Sequence, residues 1–100
     1  MDITVEELKT RMDSGEKINL IDVREPYEYE EFNLGGKLIP LGTIASSLED
    51  LEDWKNLEIV VHCKVGGRSA AAVDYMQKMG FTNVRNLLGG VLDWQAKFPQ

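Results

Sequence analysis

The chain has 100 residues, 43% of them hydrophobic, which suits one domain over residues 1–100 with one core and leaves no room for a second. Its formal net charge is −6 and its eleven Lys and Arg are scattered, so nucleic-acid binding is not expected. No apolar stretch approaches the roughly 18 residues of a membrane span. The start, Met1-Asp2-Ile3-Thr4, lacks the basic and apolar regions of a secretion signal. A single cysteine excludes an internal disulfide and, with one histidine, a cysteine-type zinc cluster, so a cytoplasmic, reducing setting is expected. Acidic charge gathers at Glu25–Glu31 and Glu49–Asp53 and reads as solvated surface.

Thr4 is placed as the N-cap of a helix, with Glu7 at the capping-box position and an Ile3–Leu8 hydrophobic staple. Val5, Leu8 and Met12 line one face of that helix, and Ser14-Gly15 ends it. Ile18 to Val23 reads as a strand apolar on both faces. Pro26 opens a short helix to about Phe32. Asn33 to Pro40 is a glycine-containing loop with a short strand at Leu38-Ile39. A helix follows from Ile44 to about Asp53, with Ile44, Leu48 and Leu51 on one face.

Glu58 to His62 is the central strand, and a helix from Arg68 or Ser69 runs to Met79, with Ala72, Met76 and Met79 facing the core. Asp74 and Lys78 form an outward i,i+4 pair. Gly80 takes the C′ position, with Phe81 folding back on Met76. Asn83 to Leu88 is a further strand, Gly89-Gly90 a turn, and Val91 to Lys97 a last helix around Trp94. Strands alternating with helices predict an α/β domain with a mostly parallel sheet, whose sites lie at the carboxyl ends of strands.

Cys63 falls at that edge. It opens Cys63-Lys64-Val65-Gly66-Gly67-Arg68-Ser69, a glycine-rich turn feeding a helix. Amides from Lys64 to Arg68 can converge as an anion-binding nest, and Gly66 and Gly67 permit backbone angles other residues resist. Arg68 brings a fixed charge and a fork of donors, Lys64 a second charge at the rim, and Ser69 a hydroxyl that caps the helix or donates into the pocket. These surroundings lower a thiol pKa and make Cys63 a nucleophile. Two chemistries need this arrangement: a sulfur carrier passing through a persulfide, and phosphate-ester attack through a phosphocysteine. His62 precedes the nucleophile on a strand, so its side chain points to the opposite face and is read as structural.

The loop resembles the active loop of rhodanese-like sulfurtransferases, which often read Cys-Arg-x-Gly-x-Arg-Ser, with Lys64 here in place of the first arginine. Leu20-Ile21-Asp22-Val23-Arg24-Glu25 with Glu28-Tyr29 is similar to the family's Asp-Val-Arg motif, and Leu88-Gly89-Gly90-Val91 with Trp94 to its C-terminal Gly-Gly…Trp motif. One segment departs: where the family reads Gly-His-Ile-x-Gly-Ala and then Ile-Pro, this chain has Phe32-Asn33-Leu34-Gly35-Gly36-Lys37-Leu38-Ile39-Pro40. A locally altered loop is expected there, with Lys37 solvated.

The resemblance implies a parallel sheet of about five strands with helices on both faces. It implies a sulfurtransferase in which Cys63 takes sulfur from a small donor such as thiosulfate, or from a persulfide, and hands it to a thiol or protein acceptor. Arg68 and Lys64 would meet the donor's sulfonate, and no metal or organic cofactor is implied. Asp22 and Arg24 are expected to buttress the loop. The alternatives are a non-catalytic binding module and a phosphatase or arsenate reductase on the same fold. Phosphatase loops have five residues between Cys and Arg, and this one has four. Nothing in the pattern specifies an oligomeric state.

Overall fold

Ile59, Val60 and Val61 are all fully buried, so the strand carrying them is covered on both faces. The structure, a computed structural model, describes Asp2–Pro99; the expected domain's outermost positions, Met1 and Gln100, lie outside the described residues. In chain order the elements are β1 (Asp2–Ile3), α1 (Val5–Asp13), β2 (Asn19–Asp22), α2 (Pro26–Glu31), β3 (Lys37–Leu38), α3 (Ile44–Ser47), β4 (Glu58–His62), α4 (Gly67–Lys78), β5 (Asn83–Leu87) and α5 (Gly90–Lys97). The strands make one sheet in the order β1-β5-β4-β2-β3, and every neighbouring pair is parallel.

Alternation along the strands divides the core in two. On one face Ile21, Val23, Ile59, Val61 and Val84 pack with Ala72 and Met76 of α4 and with Ile44, Leu48 and Leu51. On the other, Leu20, Val60 and Leu87 pack with Val5 and Leu8 of α1 and Trp94 of α5. Cys63 belongs to the first layer, one residue beyond the end of β4.

The local signals explain most boundaries. The Thr4 hydroxyl accepts from the Glu7 amide at 3.1 Å and starts α1. Gly80, at φ +97°, ends α4, and the Phe81 amide donates back to the Met76 carbonyl at 3.0 Å. Asp74 and Lys78 pair at 2.9 Å on the outside.

Four details differ from the sequence reading. β1 forms from Asp2, to which the sequence assigns no role, and Ile3, read only as a staple; it is too short for a periodic signal. β3 lies at Lys37–Leu38, one residue earlier than expected. The segment after α3 tightens into a 3-10 helix from Leu48 to Trp54, broken at Leu51 (φ −109°, ψ 15°). Met79 does not face the core: it caps α4 with a non-helical backbone and is 49% exposed. The altered segment closes on itself: the Asn33 amide donates to the Tyr29 carbonyl at 3.0 Å, and its Oδ1 accepts from Gly35 N–H at 2.9 Å. Lys37 sits on the edge strand with its ammonium 5.9 Å from the centre of the Trp54 ring.

His62 faces the α1–α5 side, fully buried, opposite Asp22 in the strand register. Neither ring nitrogen has a hydrogen-bond partner among the described residues. Burial pushes the imidazole down to about 4; the Asp22 carboxylate opposes the shift and the Arg24 charge adds to it. The unfolded chain takes up a proton near pH 6.5, which the folded chain refuses until about 4. This contribution to stability is complete above pH 6.5 and is lost as pH falls towards 4. Urea unfolding at pH 7 and pH 5 should therefore show a loss of about 2 kcal/mol at the lower pH from this group. His62→Leu should lack that component.

Candidate active site

The chain turns sharply after His62. Gly66, at φ +124°, lets the loop fold back, and α4 begins at once with Gly67. Gly67 has an ordinary backbone and open space where a Cβ would sit. Of the two loop glycines, only Gly66 is required by geometry.

The Cys63 sulfur is held from several sides and the residue is 1% exposed. The Gly66 amide lies 3.1 Å from Sγ and the Ser69 amide 3.3 Å, with the Ser69 hydroxyl also at 3.3 Å. Burial raises the thiol pKa. The Ser69 hydroxyl and the amides of Ser69, Gly66 and Val65 outweigh that effect and bring it below the ordinary thiol value. Of the five amides expected to converge, Val65 and Gly66 act on the sulfur, and the Ser69 amide joins them from the first turn of α4.

A second helix holds the loop from outside. The Val91 amide donates to the Cys63 carbonyl and the Leu92 amide to the Lys64 carbonyl, each at 3.0 Å. The approach is so close that a Cβ on Gly90 would lie 2.5 Å from the Cys63 carbonyl oxygen. Gly89 (φ +77°) and Gly90 (φ +57°) both need the left-handed region. The Gly-Gly motif is thus the joint that seats α5 against the cysteine loop.

Arg68 does not stand open to solvent as a bare cation. Its two terminal nitrogens fork onto the Glu28 carboxylate of α2 at 2.7 and 3.0 Å. That pairing holds Glu28 well below the usual carboxylate range, at about 2. Lys64 is exposed at the rim and makes no ion pair among the described residues. It lines a cleft of about 390 Å³ between α2 and α5, with Arg24, Tyr27, Glu28, Leu92 and Gln95 among its walls.

Asp22 and Arg24 pair with each other. Arg24 Nε lies 3.0 Å and Nη2 2.8 Å from the Asp22 carboxylate, and Nη2 also donates to the Phe32 carbonyl at 2.6 Å. Their hydrogen bonds run to the end of α2 and not to residues 63–69, so the expected direct buttress is not what the structure shows. Two participants escaped the sequence reading: Glu28, quoted there only as part of a motif, and Asn86 of β5, whose Oδ1 lies 2.5 Å from the Ser69 hydroxyl. The Gly-Gly motif of the next turn was the nearest signal to Asn86.

Residues 4–97 match the family described as rhodanese-like domain. The chain belongs to that family. A putative sulfur carrier protein of Bacillus subtilis, YrkF, is 39% identical over 96% of this chain, which spans 51% of that protein's length. A sulfurtransferase of Allochromatium vinosum is 30% identical, covering 93% of this chain and 86% of its own. The human single-domain sulfurtransferase TSTD1 superposes with a TM-score of 0.82 at 26% identity, over 96% of each chain. The rhodanese-like assignment and the five-stranded parallel α/β architecture agree with the sequence reading. These relatives are named as sulfur carriers and sulfurtransferases.

The two helix seats make a contrast measurable by urea unfolding. Gly90→Ala should destabilise the fold by about 2–4 kcal/mol, because the new methyl meets a backbone carbonyl that cannot yield. Gly67→Ala should be neutral or stabilise by about 0.4–1 kcal/mol.

Proposed function

We propose that the chain is a sulfurtransferase that carries a sulfane sulfur on Cys63 as a persulfide. The observation that carries this reading is the sulfur itself, buried at the carboxyl edge of the sheet and held by the Gly66 and Ser69 amides and the Ser69 hydroxyl. The two amides are in place before any substrate arrives, so they stabilise negative charge on sulfur without reorganisation. With thiosulfate as donor, the Cys63 thiolate attacks the outer sulfur. The S–S bond of thiosulfate breaks, sulfite leaves with the electron pair, and Cys63 keeps a persulfide. With a persulfide donor the leaving group is that donor's thiolate. An acceptor thiolate then attacks the outer sulfur of the Cys63 persulfide, takes it, and restores the Cys63 thiolate.

Lys64 is the cation that meets an anionic donor at the rim. Arg68 adds its charge from behind Glu28, and the loop from Lys64 to Ser69 cradles the product. No metal or organic cofactor takes part in these steps. The chain holds no resolving cysteine, so discharge requires an external thiol or a protein partner. A buried thiol with that duty fits a reducing compartment, the cytoplasm. The short loop, with four residues between Cys63 and Arg68, weighs against phosphoryl transfer.

Mass spectrometry after treatment with thiosulfate, or with a desulfurase-bound persulfide, should find one added sulfur atom on Cys63. Glutathione should remove it, and Cys63→Ser should show neither adduct nor turnover. Absence of the adduct with every donor would overturn the reading in favour of a binding module. Cys63-dependent hydrolysis of an aryl phosphate would overturn it in favour of a phosphatase.

A further inference from the structure

Ser69 has one hydroxyl proton and three neighbours that can accept it. Asn86 Oδ1 lies at 2.5 Å, the Gly66 carbonyl oxygen at 3.2 Å and Cys63 Sγ at 3.3 Å. Two oxygens 2.5 Å apart need a proton between them, and a carbonyl oxygen has none to give. In this arrangement the Ser69 proton is therefore on the line to Asn86. Cys63, as a thiol, can donate to the Ser69 oxygen. When the thiol ionises that donor is lost, and the anionic sulfur asks for the Ser69 proton itself. Turning the hydroxyl towards sulfur would leave Asn86 Oδ1 facing oxygen lone pairs.

An amide has a remedy that few side chains have. Rotated half a turn, Asn86 presents Nδ2–H to Ser69, and its terminal torsion is soft enough for that. The rotation exchanges the 3.4 Å contact from Nδ2 to the Gly66 carbonyl for an oxygen facing that carbonyl, a longer and weaker opposition than the 2.5 Å one it relieves. The Ala70 amide still satisfies the carbonyl at 3.0 Å. Position supports the arrangement. β5 lies beside β4, with Asn86 in register with Val61, so Asn86 points to the same face as Cys63.

We propose that Asn86 is a positioning residue whose amide turns between acceptor and donor as Cys63 changes ionisation, so that the Ser69 hydroxyl serves the thiol in one state and the thiolate in the other. The switch acts through Ser69, and Asn86 makes no contact with the reacting sulfur of its own. The other charged groups around the thiol are few. Arg68 of α4, with Glu28 of α2 on its fork, and Lys64 of the loop are nearest. Asp22 and His62 lie across the sheet on β2 and β4, with Arg24 bound to Asp22, and Arg85 of β5 faces the same side as Leu87. The inference shares with the proposed function only the use of a thiolate, and its test needs no sulfur donor.

The chain has one cysteine, so the pH dependence of its alkylation by iodoacetamide reads this thiol alone. Asn86→Asp keeps the shape but can only accept. It should pin the Ser69 proton and raise the apparent thiol pKa by one unit or more, a tenfold loss of thiolate at neutral pH. Asn86→Leu removes the competing acceptor and should leave the pKa at or below the wild-type value. In a Ser69→Ala background the Asp substitution should keep less than half of its shift. Equal upward shifts from Asp and Leu would mean a packing defect. A shift fully retained without the Ser69 hydroxyl would mean simple charge repulsion. No shift from Asp would mean that the amide has no part in the ionisation. Each of these outcomes overturns the proposal. The unmodified chain gives a second reading: both side-chain amide proton resonances of Asn86 should move with the thiol titration by NMR and stay still in Ser69→Ala. Resonances that stay still in the wild type would overturn the proposal as well.

Discussion

The site depends on how the loop's peptide groups are turned. A trans peptide is planar, and its N–H and C=O point in opposite directions. The Leu92 amide draws the Lys64 carbonyl towards α5, so the amide of that same peptide, on Val65, is sent to the other side, where it acts on the sulfur. The Val91 amide draws the Cys63 carbonyl towards α5 as well. The positive end of α5 thus takes the loop's acceptors, while the positive end of α4 supplies donors to Sγ. A loop left to itself would have no reason to point its amides at one atom. Seated between two helix starts, it has little choice, and Gly90 is what lets the second helix come close enough.

The charges beside the loop are arranged in closed pairs. Glu28 receives the Arg68 fork, and it also accepts the Glu25 amide at the start of α2. Arg24 ties the far end of α2 through the Phe32 carbonyl while satisfying the buried Asp22 carboxylate. Two arginines therefore clamp the two ends of one six-residue helix. A buried ion pair of this sort contributes little net stability after desolvation, but removing one partner strands the other. The Asp-Val-Arg motif consequently reads as a clamp on α2, and α2 in turn fixes Arg68 at the edge of the sulfur site. The influence of Asp22 and Arg24 on the chemistry is relayed, not direct.

How much of this could be read from the residues follows from the range of each interaction. Cys63, its glycine turn and the helix after it occupy consecutive positions, and the apolar run before them marks a buried strand; the chemistry was visible because its parts are local. The Thr4 cap, the Gly80 stop and the placing of His62 on the face opposite Cys63 were visible for the same reason. The Arg68–Glu28 fork spans 40 positions and the Ser69–Asn86 contact 17, and neither leaves a periodic trace. Asn86 shares a face with Val84 and alternates with Leu87, as a polar residue on any strand could. Arg68 was legible as a charge but not as a charge already engaged. Met79 keeps the helical spacing of Ala72 and Met76, yet the backbone has left the helix by the time it is reached.

The position of the donors also bears on which group the loop can carry. They lie 3.1–3.3 Å from Sγ itself, not from a point beyond it. A tetrahedral phosphoryl group on that sulfur would need amides around its own oxygens, further out. A persulfide adds one atom bonded to Sγ and leaves the inner sulfur where these donors already hold it. In the sulfur transfer proposed above, discharge would make the inner sulfur the leaving thiolate, and the same amides would stabilise it as the S–S bond breaks. Donors fixed on the inner atom therefore favour both halves of a sulfur transfer: the attacking thiolate in the first and the departing thiolate in the second.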